Sequence, residues 1–201
     1  DGRGIRDVNF QLYAGELLVL TGPVASGKSS ILNALFGIVP ASFQEILWNG
    51  KEVQNLFTLF KAPTVSCCLQ SSHLLNGTIR ENLTLGRNIS DIECWKALQS
   101  ACMEREVKEW PGGLDTLTGE NGIMLSGGQK QRLLLARMLL EHPSLYFLDD
   151  ATSALDRITA EKLIFNLKQR IIQDNAAAVF ISNSEVVKAA ADRELCISQG
   201  A

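Results

Sequence analysis

Gly22-Pro23-Val24-Ala25-Ser26-Gly27-Lys28-Ser29 decides the reading of this chain. It fits the pattern G-x-x-x-x-G-K-[ST] at every fixed position. The residue types suit the cradling of phosphates. Glycines let the backbone come close and turn N–H groups inward. A helix N-terminus directly after them adds a favourable field for anions. Lys28 supplies a point charge for β- and γ-phosphates, and the Ser29 hydroxyl supplies a hard oxygen for Mg²⁺.

The surroundings match. Leu17 to Thr21 is a continuous apolar run that reads as a buried strand. Lys28 to Phe36 reads as a helix stopped by Gly37, with Pro40 beyond. Asn49-Gly50, between Ile46-Leu47-Trp48 and Lys51-Glu52-Val53, signals a hairpin. Two further apolar runs, Leu145 to Leu148 and Ala177 to Ile181, flank a helix over about 160–171. Strand, helix, strand with buried-type strands predicts a mainly parallel sheet with crossover helices. The expected fold is α/β, with a P-loop core over 1–72 and 143–201.

The middle, 73–142, reads as an inserted helical subdomain. Ser90-Asp91-Ile92-Glu93 has capping-box spacing, and Ile92, Trp95, Leu98 and Cys102 follow at helical intervals. A second helix is expected from Gly128 to Glu141.

A phosphate cradle of this kind calls for an acidic magnesium partner at the end of another strand. Asp149, closing the Leu145 run, is placed for that, with Asp150 directly after it. Ser126-Gly127-Gly128 looks like another helix start with exposed N–H groups, a second surface for anions.

Composition narrows the classes. The 201 residues are 46% hydrophobic and 20% charged, enough for an ordinary core, and the formal net charge is −3. No basic footprint for nucleic acid is present. No apolar stretch approaches the length of a membrane span, and the opening Asp1-Gly2-Arg3 does not resemble a signal peptide. The five cysteines contain no C-x-x-C and stand at no metal-ligand spacing to His73 or His142. They read as reduced thiols.

The order of P-loop, Leu125-Ser126-Gly127-Gly128-Gln129 and acidic strand resembles the nucleotide-binding domain of an ABC transporter. Further segments carry the same likeness over essentially the whole chain. Cys68-Leu69-Gln70 resembles the Q-loop. Gly77-Thr78-Ile79-Arg80-Glu81-Asn82 resembles an exporter-type segment, and Gly119-Glu120-Asn121-Gly122 the end of the exporter X-loop. Ser153-Ala154-Leu155-Asp156 resembles the D-loop.

The resemblance implies ATP and Mg²⁺ as cofactors and a head-to-tail dimer with a second nucleotide-binding domain. Transmembrane domains would dock through the Q-loop and X-loop surface, at the cytosolic face of a membrane. Gly22 to Ser29, with Ser30, would hold the nucleotide. Ser29, Gln70 and Asp149 would hold the metal and its water. Ser126, Gly127, Gly128 and Gln129 would face the partner's ATP, with Asp156 coupling the sites. Gln70, Asp150 and Asn183 would be the candidate catalytic residues.

Two positions depart from the family. Asp150 stands where Glu usually positions the attacking water, and Asn183 stands where a switch His is usual. One methylene fewer withdraws the carboxylate by roughly 1.5 Å, and misplacements near 1 Å can cost about a hundredfold in rate. Asn offers a hydrogen bond but no cation. The expectation is tight ATP·Mg²⁺ binding with slow hydrolysis or none. Two alternatives stand beside it: a regulatory ATP-binding module without useful hydrolysis, and a soluble ABC ATPase without a membrane partner. Asp150 beside an intact L-S-G-G-Q is similar to the first nucleotide-binding domain of the C subfamily, which holds the multidrug resistance-associated proteins and the cystic fibrosis conductance regulator. Ala151 replaces that group's usual Pro. The family's adenine-stacking aromatic lies about 25 residues before the P-loop, so the N-terminus is expected to be truncated. Tyr13 is a weak substitute, and Trp48 and Phe43 read as hairpin packing.

Overall fold

The computed structural model describes residues 7–197; the expectations about the N-terminal start lie outside them. Five strands form one sheet: β1 (Leu17–Thr21), β4 (Val65–Cys68), β5 (Leu145–Asp149), β6 (Ala177–Ile181) and β7 (Arg193–Cys196). Their order is β4-β5-β6-β1-β7, and every neighbouring pair is parallel. β2 (Leu47–Trp48) and β3 (Lys51–Glu52) make the expected antiparallel hairpin. Asn49 and Gly50 take φ 51° and 74°, as a type I′ turn requires. Trp48 packs on the core, whereas Phe43 is exposed.

The apolar strands split their side chains between two faces with period two. Leu18, Leu20, Phe147 and Val179 face α1 (Lys28–Leu35), which buries Ile31 and Leu32. Leu17, Val19, Tyr146 and Phe180 face the other way, into the larger core. There α7 (Arg157–Gln173) contributes Ala160, Leu163, Ile164, Leu167 and Ile171, one helical stripe. Each buried Leu or Ile there contributes roughly 2 kcal/mol. The short helix α8 (Glu185–Ala190) packs against α7 and β1, while α2 (Leu56–Leu59) buries none of its residues.

Between β4 and β5 lie α3 (Ile79–Thr84), α4 (Asp91–Ser100), α5 (Glu104–Glu109) and α6 (Gly127–Leu139). Their buried residues join the larger cluster on the sheet, so one apolar core runs through both parts. Three of these helices start in capping boxes: Thr78 with Glu81, Ser90 with Glu93, and Ser126 with Gln129.

The α4 stripe differs from the sequence expectation. The buried residues are Cys94, Ala97 and Leu98, while Ile92 is 67% exposed. At 100° per residue Ile92 falls on the far side of the helix from that stripe. Cys102 lies past the helix end in a left-handed conformation, φ 57°.

Strands β4 and β7 bring no long apolar run. β7 is an exposed edge strand, and its sequence, Arg193-Glu194-Leu195-Cys196, does not advertise burial.

Candidate functional site at the C-terminal ends of the strands

Parallel strands put all their C-terminal ends on one edge of the sheet, and the loops there form the site. The register sets which residues meet. Leu20 of β1 pairs with Ile181 of β6, and Ile181 pairs with Asp149 of β5. Cys68 of β4 pairs with Leu148. Gly22, Asn183, Asp149 and Gln70 therefore converge from four strands within two residues of that common line.

Gly22 takes φ 139°, and a Cβ there would stand 2.2 Å from the Ile197 carbonyl oxygen. No side chain fits that position. Lys28 Nζ curls back into the loop and donates to the carbonyls of Gly22 at 2.8 Å and Pro23 at 2.7 Å, with Ser26 Oγ at 3.3 Å. Those carbonyls occupy the cation where phosphate oxygens could take over. Gly27, the N-cap of α1, has φ 92° and offers no side-chain cap, so the first N–H groups of α1 remain available to a ligand. Val24, Ala25 and Ser30 are exposed around the cradle.

Asp149 is 8% exposed. Burial pushes its carboxyl above the usual range; the Ser29 hydroxyl hydrogen bond and the Lys28 charge pull it down, and Asp150 pushes it further up. A hydroxyl and a carboxylate held together offer two hard oxygens beside the phosphate cradle, which fits Mg²⁺. Gln70, exposed just beyond β4, lies at the same edge.

Asp150 has φ 52°, a left-handed conformation that Asp tolerates better than most residues. Its N–H donates to the Ile181 carbonyl at 3.0 Å. Asn183 Oδ1 accepts from the Gly22 N–H at 3.1 Å, and Asn183 Nδ2 donates to the Gly22 carbonyl at 3.0 Å.

A second surface lies at the start of α6. A groove of about 410 Å³ is lined by Ser126, Gly127, Gly128, Arg132, Leu155 and Asp156 among others. Ser126 Oγ accepts from the Gln129 N–H at 3.3 Å, and Gln129 Oε1 accepts from the Ser126 N–H at 2.8 Å. Gln129 Nε2 donates to Glu106 at 3.0 Å, so the Gln129 side chain is held by its own helix start and by α5. Asp156 caps α7, accepting from the Thr159 N–H at 3.0 Å and from the Thr159 hydroxyl at 2.7 Å. The hydroxyl contact leads in holding its carboxyl below the usual range.

Sequence reasoning missed Gln131. Its Nε2 donates to Ser153 Oγ at 2.9 Å and to the Asp150 carbonyl at 3.3 Å, and its Oε1 accepts from the Ala154 N–H at 2.9 Å. It ties α6 to the segment that carries Asp150 and Ala154. A glutamine one turn into a helix gives no sequence signal of that bridge. Gln129, expected from the resemblance to face a partner's ATP, has its side chain engaged in capping the start of α6.

Tyr13 lies before the N-terminal end of β1, with its hydroxyl on Gln11 at 2.7 Å. Five strand residues, about 17 Å, separate that end from the phosphate loop, so Tyr13 stands away from the site.

A family profile described as ABC transporter matches residues 5–153. The chain is 36% identical over 185 residues to the uncharacterized ABC transporter ATP-binding protein YwjA of Bacillus subtilis, covering 92% of this chain and 32% of that protein. It is 34% identical to the mitochondrial iron-sulfur clusters transporter ATM1 of Kluyveromyces lactis, covering 98% of this chain and 28% of that one. The ATP-dependent lipid A-core flippase of Photobacterium profundum is 36% identical, with 100% and 34% covered. A bacterial Atm1-family ABC exporter solved with ATP bound superposes with a TM-score of 0.84 at 30% identity, over 92% of this chain and 33% of that one. The chain thus spans about a third of the length of these relatives. They are similar to it in the Atm1 and flippase direction, and they lend no support to the C-subfamily likeness.

Proposed function

The chain belongs to the ABC transporter family, and on that footing we propose that it is the nucleotide-binding domain of an exporter. It binds ATP·Mg²⁺ at its own P-loop and pairs head to tail with a second such domain. The observation that carries this is Lys28 folded onto the Gly22 and Pro23 carbonyls at the sheet edge where the buried carboxylate of Asp149 also ends its strand. Phosphates offer Lys28 a better partner than two carbonyls, because both charges are then matched.

In this reading Lys28 neutralises the β- and γ-phosphates. Ser29 and Asp149 would hold the metal, and Gln70 would bind water beside it. The metal, when bound, screens phosphate charge and orients the γ-phosphate. Asp150 orients the attacking water from a withdrawn position, and Asn183 brings no cation to the γ-phosphate. Hydrolysis at this site is therefore slow. The groove of Ser126, Gly127 and Gly128 receives a partner's ATP, with Asp156 at its rim. Among the described residues no helix is long and apolar enough to cross a membrane. Docking to transmembrane domains, at the cytosolic face of their membrane, would use the exposed Ile123 and Met124 beside Gly122.

Equilibrium binding of Mg·ATP, with Lys28→Ala as control, tests the first part. Sedimentation with and without Mg·ATP tests pairing, and phosphate release tests turnover. Binding abolished by Lys28→Ala, with association and little release, is the expected result. Turnover above about 1 s⁻¹, within the ordinary enzyme range, would overturn the slow site. Association with no release at all would favour a purely regulatory module, a reading that the Asp150 and Asn183 departures also support.

A further inference from the structure

We propose that Asn183 is a positioning residue that latches the first residue of the phosphate loop, and that it is not a contact to the γ-phosphate. Its amide makes two hydrogen bonds to one peptide unit pair: Oδ1 accepts from the Gly22 N–H, and Nδ2 donates to the Gly22 carbonyl. The orientation is unambiguous, because a flipped amide would set two donors against each other at one contact and two acceptors at the other.

Register makes the contact. Leu20 and Ile181 are direct partners in the parallel ladder. Two residues further along each chain stand Gly22 and Asn183. Gly22 is also pressed from the other side, where the Ile197 carbonyl leaves no room for a Cβ. Its conformation, φ 139°, is one that only glycine adopts freely. A flexible residue at the entry of the loop costs entropy each time a ligand orders the loop. Asn183 removes that freedom in advance.

The chemistry restricts the residue. Only a primary amide presents one acceptor and one donor side by side. Asp would offer two acceptors, and an imidazole's two nitrogens point apart. The Gly22 carbonyl also accepts from Lys28 at 2.8 Å. When phosphates draw Lys28 away, the Asn183 donor still satisfies that carbonyl. The latch therefore holds in both states, and its amide stays off the phosphates. Losing it should weaken every nucleotide that uses the loop, whether or not it has a γ-phosphate.

The nucleotide part of this proposal rests on the ATP-binding reading above; the latch itself does not. Two measurements on the full chain separate them. In the nucleotide-free protein, amide hydrogen exchange at Gly22 should accelerate at least tenfold in Asn183→Ala, which removes the Oδ1 acceptor. ATP and ADP dissociation constants should then rise together, about 3- to 15-fold, as loss of one or two net hydrogen bonds implies, with their ratio unchanged within twofold. Unaltered Gly22 exchange overturns the latch. So does a loss confined to ATP, which would mark a γ-phosphate contact. A wild-type chain that binds neither nucleotide overturns the ATP-binding reading, while the exchange data still decide the latch.

Discussion

Gly128, on the second turn-forming residue of α6, packs directly under Ala154: a Cβ built on it would stand 2.9 Å from the Ala154 carbonyl oxygen and 3.4 Å from Leu155 Cδ2. The backbones of α6 and the 150–156 segment approach as closely as they do only because that side chain is missing.

Gly128→Ala should therefore displace the segment. The backbone at 128 is helical, so alanine introduces no strain of its own and even raises helix propensity. What is tested is the added methyl, against Ala154 and at the floor of the groove that Gly128 lines. The expected outcome is ATP-driven association weakened more than tenfold, with nucleotide affinity of the chain's own P-loop within twofold of wild type. Sedimentation equilibrium with Mg·ATP, alongside equilibrium dialysis, checks both. Wild-type association in the variant would mean that the Gly128–Ala154 approach does not shape the pairing surface.

Asp150→Glu restores the longer carboxylate and tests the slow-site reading. The added methylene should advance the carboxylate toward the γ-phosphate and raise turnover about ten- to a hundredfold. It should also lower stability by on the order of 1 kcal/mol, because glutamate at φ 52° lacks the short side chain that makes left-handed backbone tolerable. Phosphate release and thermal melting give the two readouts. Unchanged turnover would place the limitation elsewhere in the site.

Much of this arrangement was legible in the sequence because the residues involved announce themselves locally. Leu17 to Thr21, Leu145 to Leu148 and Ala177 to Ile181 are continuous apolar runs, and all three are central strands buried on both faces. Gly22 to Ser29 combine a strand end, glycines and a helix start in one octapeptide. What stayed hidden depends on contacts between distant segments. β7 is an edge strand whose charged side chains meet solvent, so no apolar pattern marks it. Helical spacing assigns Ile92 to the α4 stripe, but the start fixed by Ser90 and Glu93 turns it outward. Gln131 and the Asn183–Gly22 pair become visible only once the sheet register sets β1, β5 and β6 side by side.

Magnesium dependence should carry the signature of Asp149. Burial raises its carboxyl pKa, with the Ser29 hydrogen bond and Lys28 opposing and Asp150 adding to the rise. The folded state thus holds this proton more tightly than the unfolded chain does. Folding stability contributed by this group declines as pH rises from the unfolded value, 3.8, to the raised folded value, and is level above it. Metal binding has the opposite sign, because it needs the carboxylate. Mg²⁺ enhancement of ATP affinity should therefore fail, on acidification, at a higher pH than an ordinary aspartate would dictate. Asp149→Asn should remove that pH dependence together with most of the enhancement. Titrations of ATP affinity at several pH values, with and without Mg²⁺, check it. A pH-independent enhancement in wild type would contradict the assignment of Asp149 as a metal-site carboxylate.

Asn82 makes the strongest stability prediction outside the site. It is fully buried. Its Nδ2 donates to the carbonyls of Leu75 at 3.1 Å and Thr78 at 3.0 Å, and its Oδ1 accepts from the Leu75 N–H and from Arg137 Nη2, each at 2.8 Å. Arg137, on α6, also donates to the carbonyls of Asn82 at 2.6 Å and His73 at 3.0 Å. One amide thus joins the segment following Gln70 to α6. Asn82→Ala leaves the Leu75 N–H unpaired and takes one acceptor from a guanidinium whose pKa burial already lowers. Each orphaned buried group costs about 1–3 kcal/mol, so a total loss near 3 kcal/mol is expected in urea unfolding. Asn82→Asp should cost less at neutral pH. It keeps the acceptor for the Leu75 N–H and places a negative charge against Arg137, although the carbonyls at Leu75 and Thr78 each lose one of their two donors, keeping the Thr118 hydroxyl and the Asn82 N–H respectively. If Asn82→Asp proved as damaging as Asn82→Ala, donation to those two carbonyls would be the dominant contribution. If Asn82→Ala cost less than about 1 kcal/mol, the polar hub would not hold the two segments together.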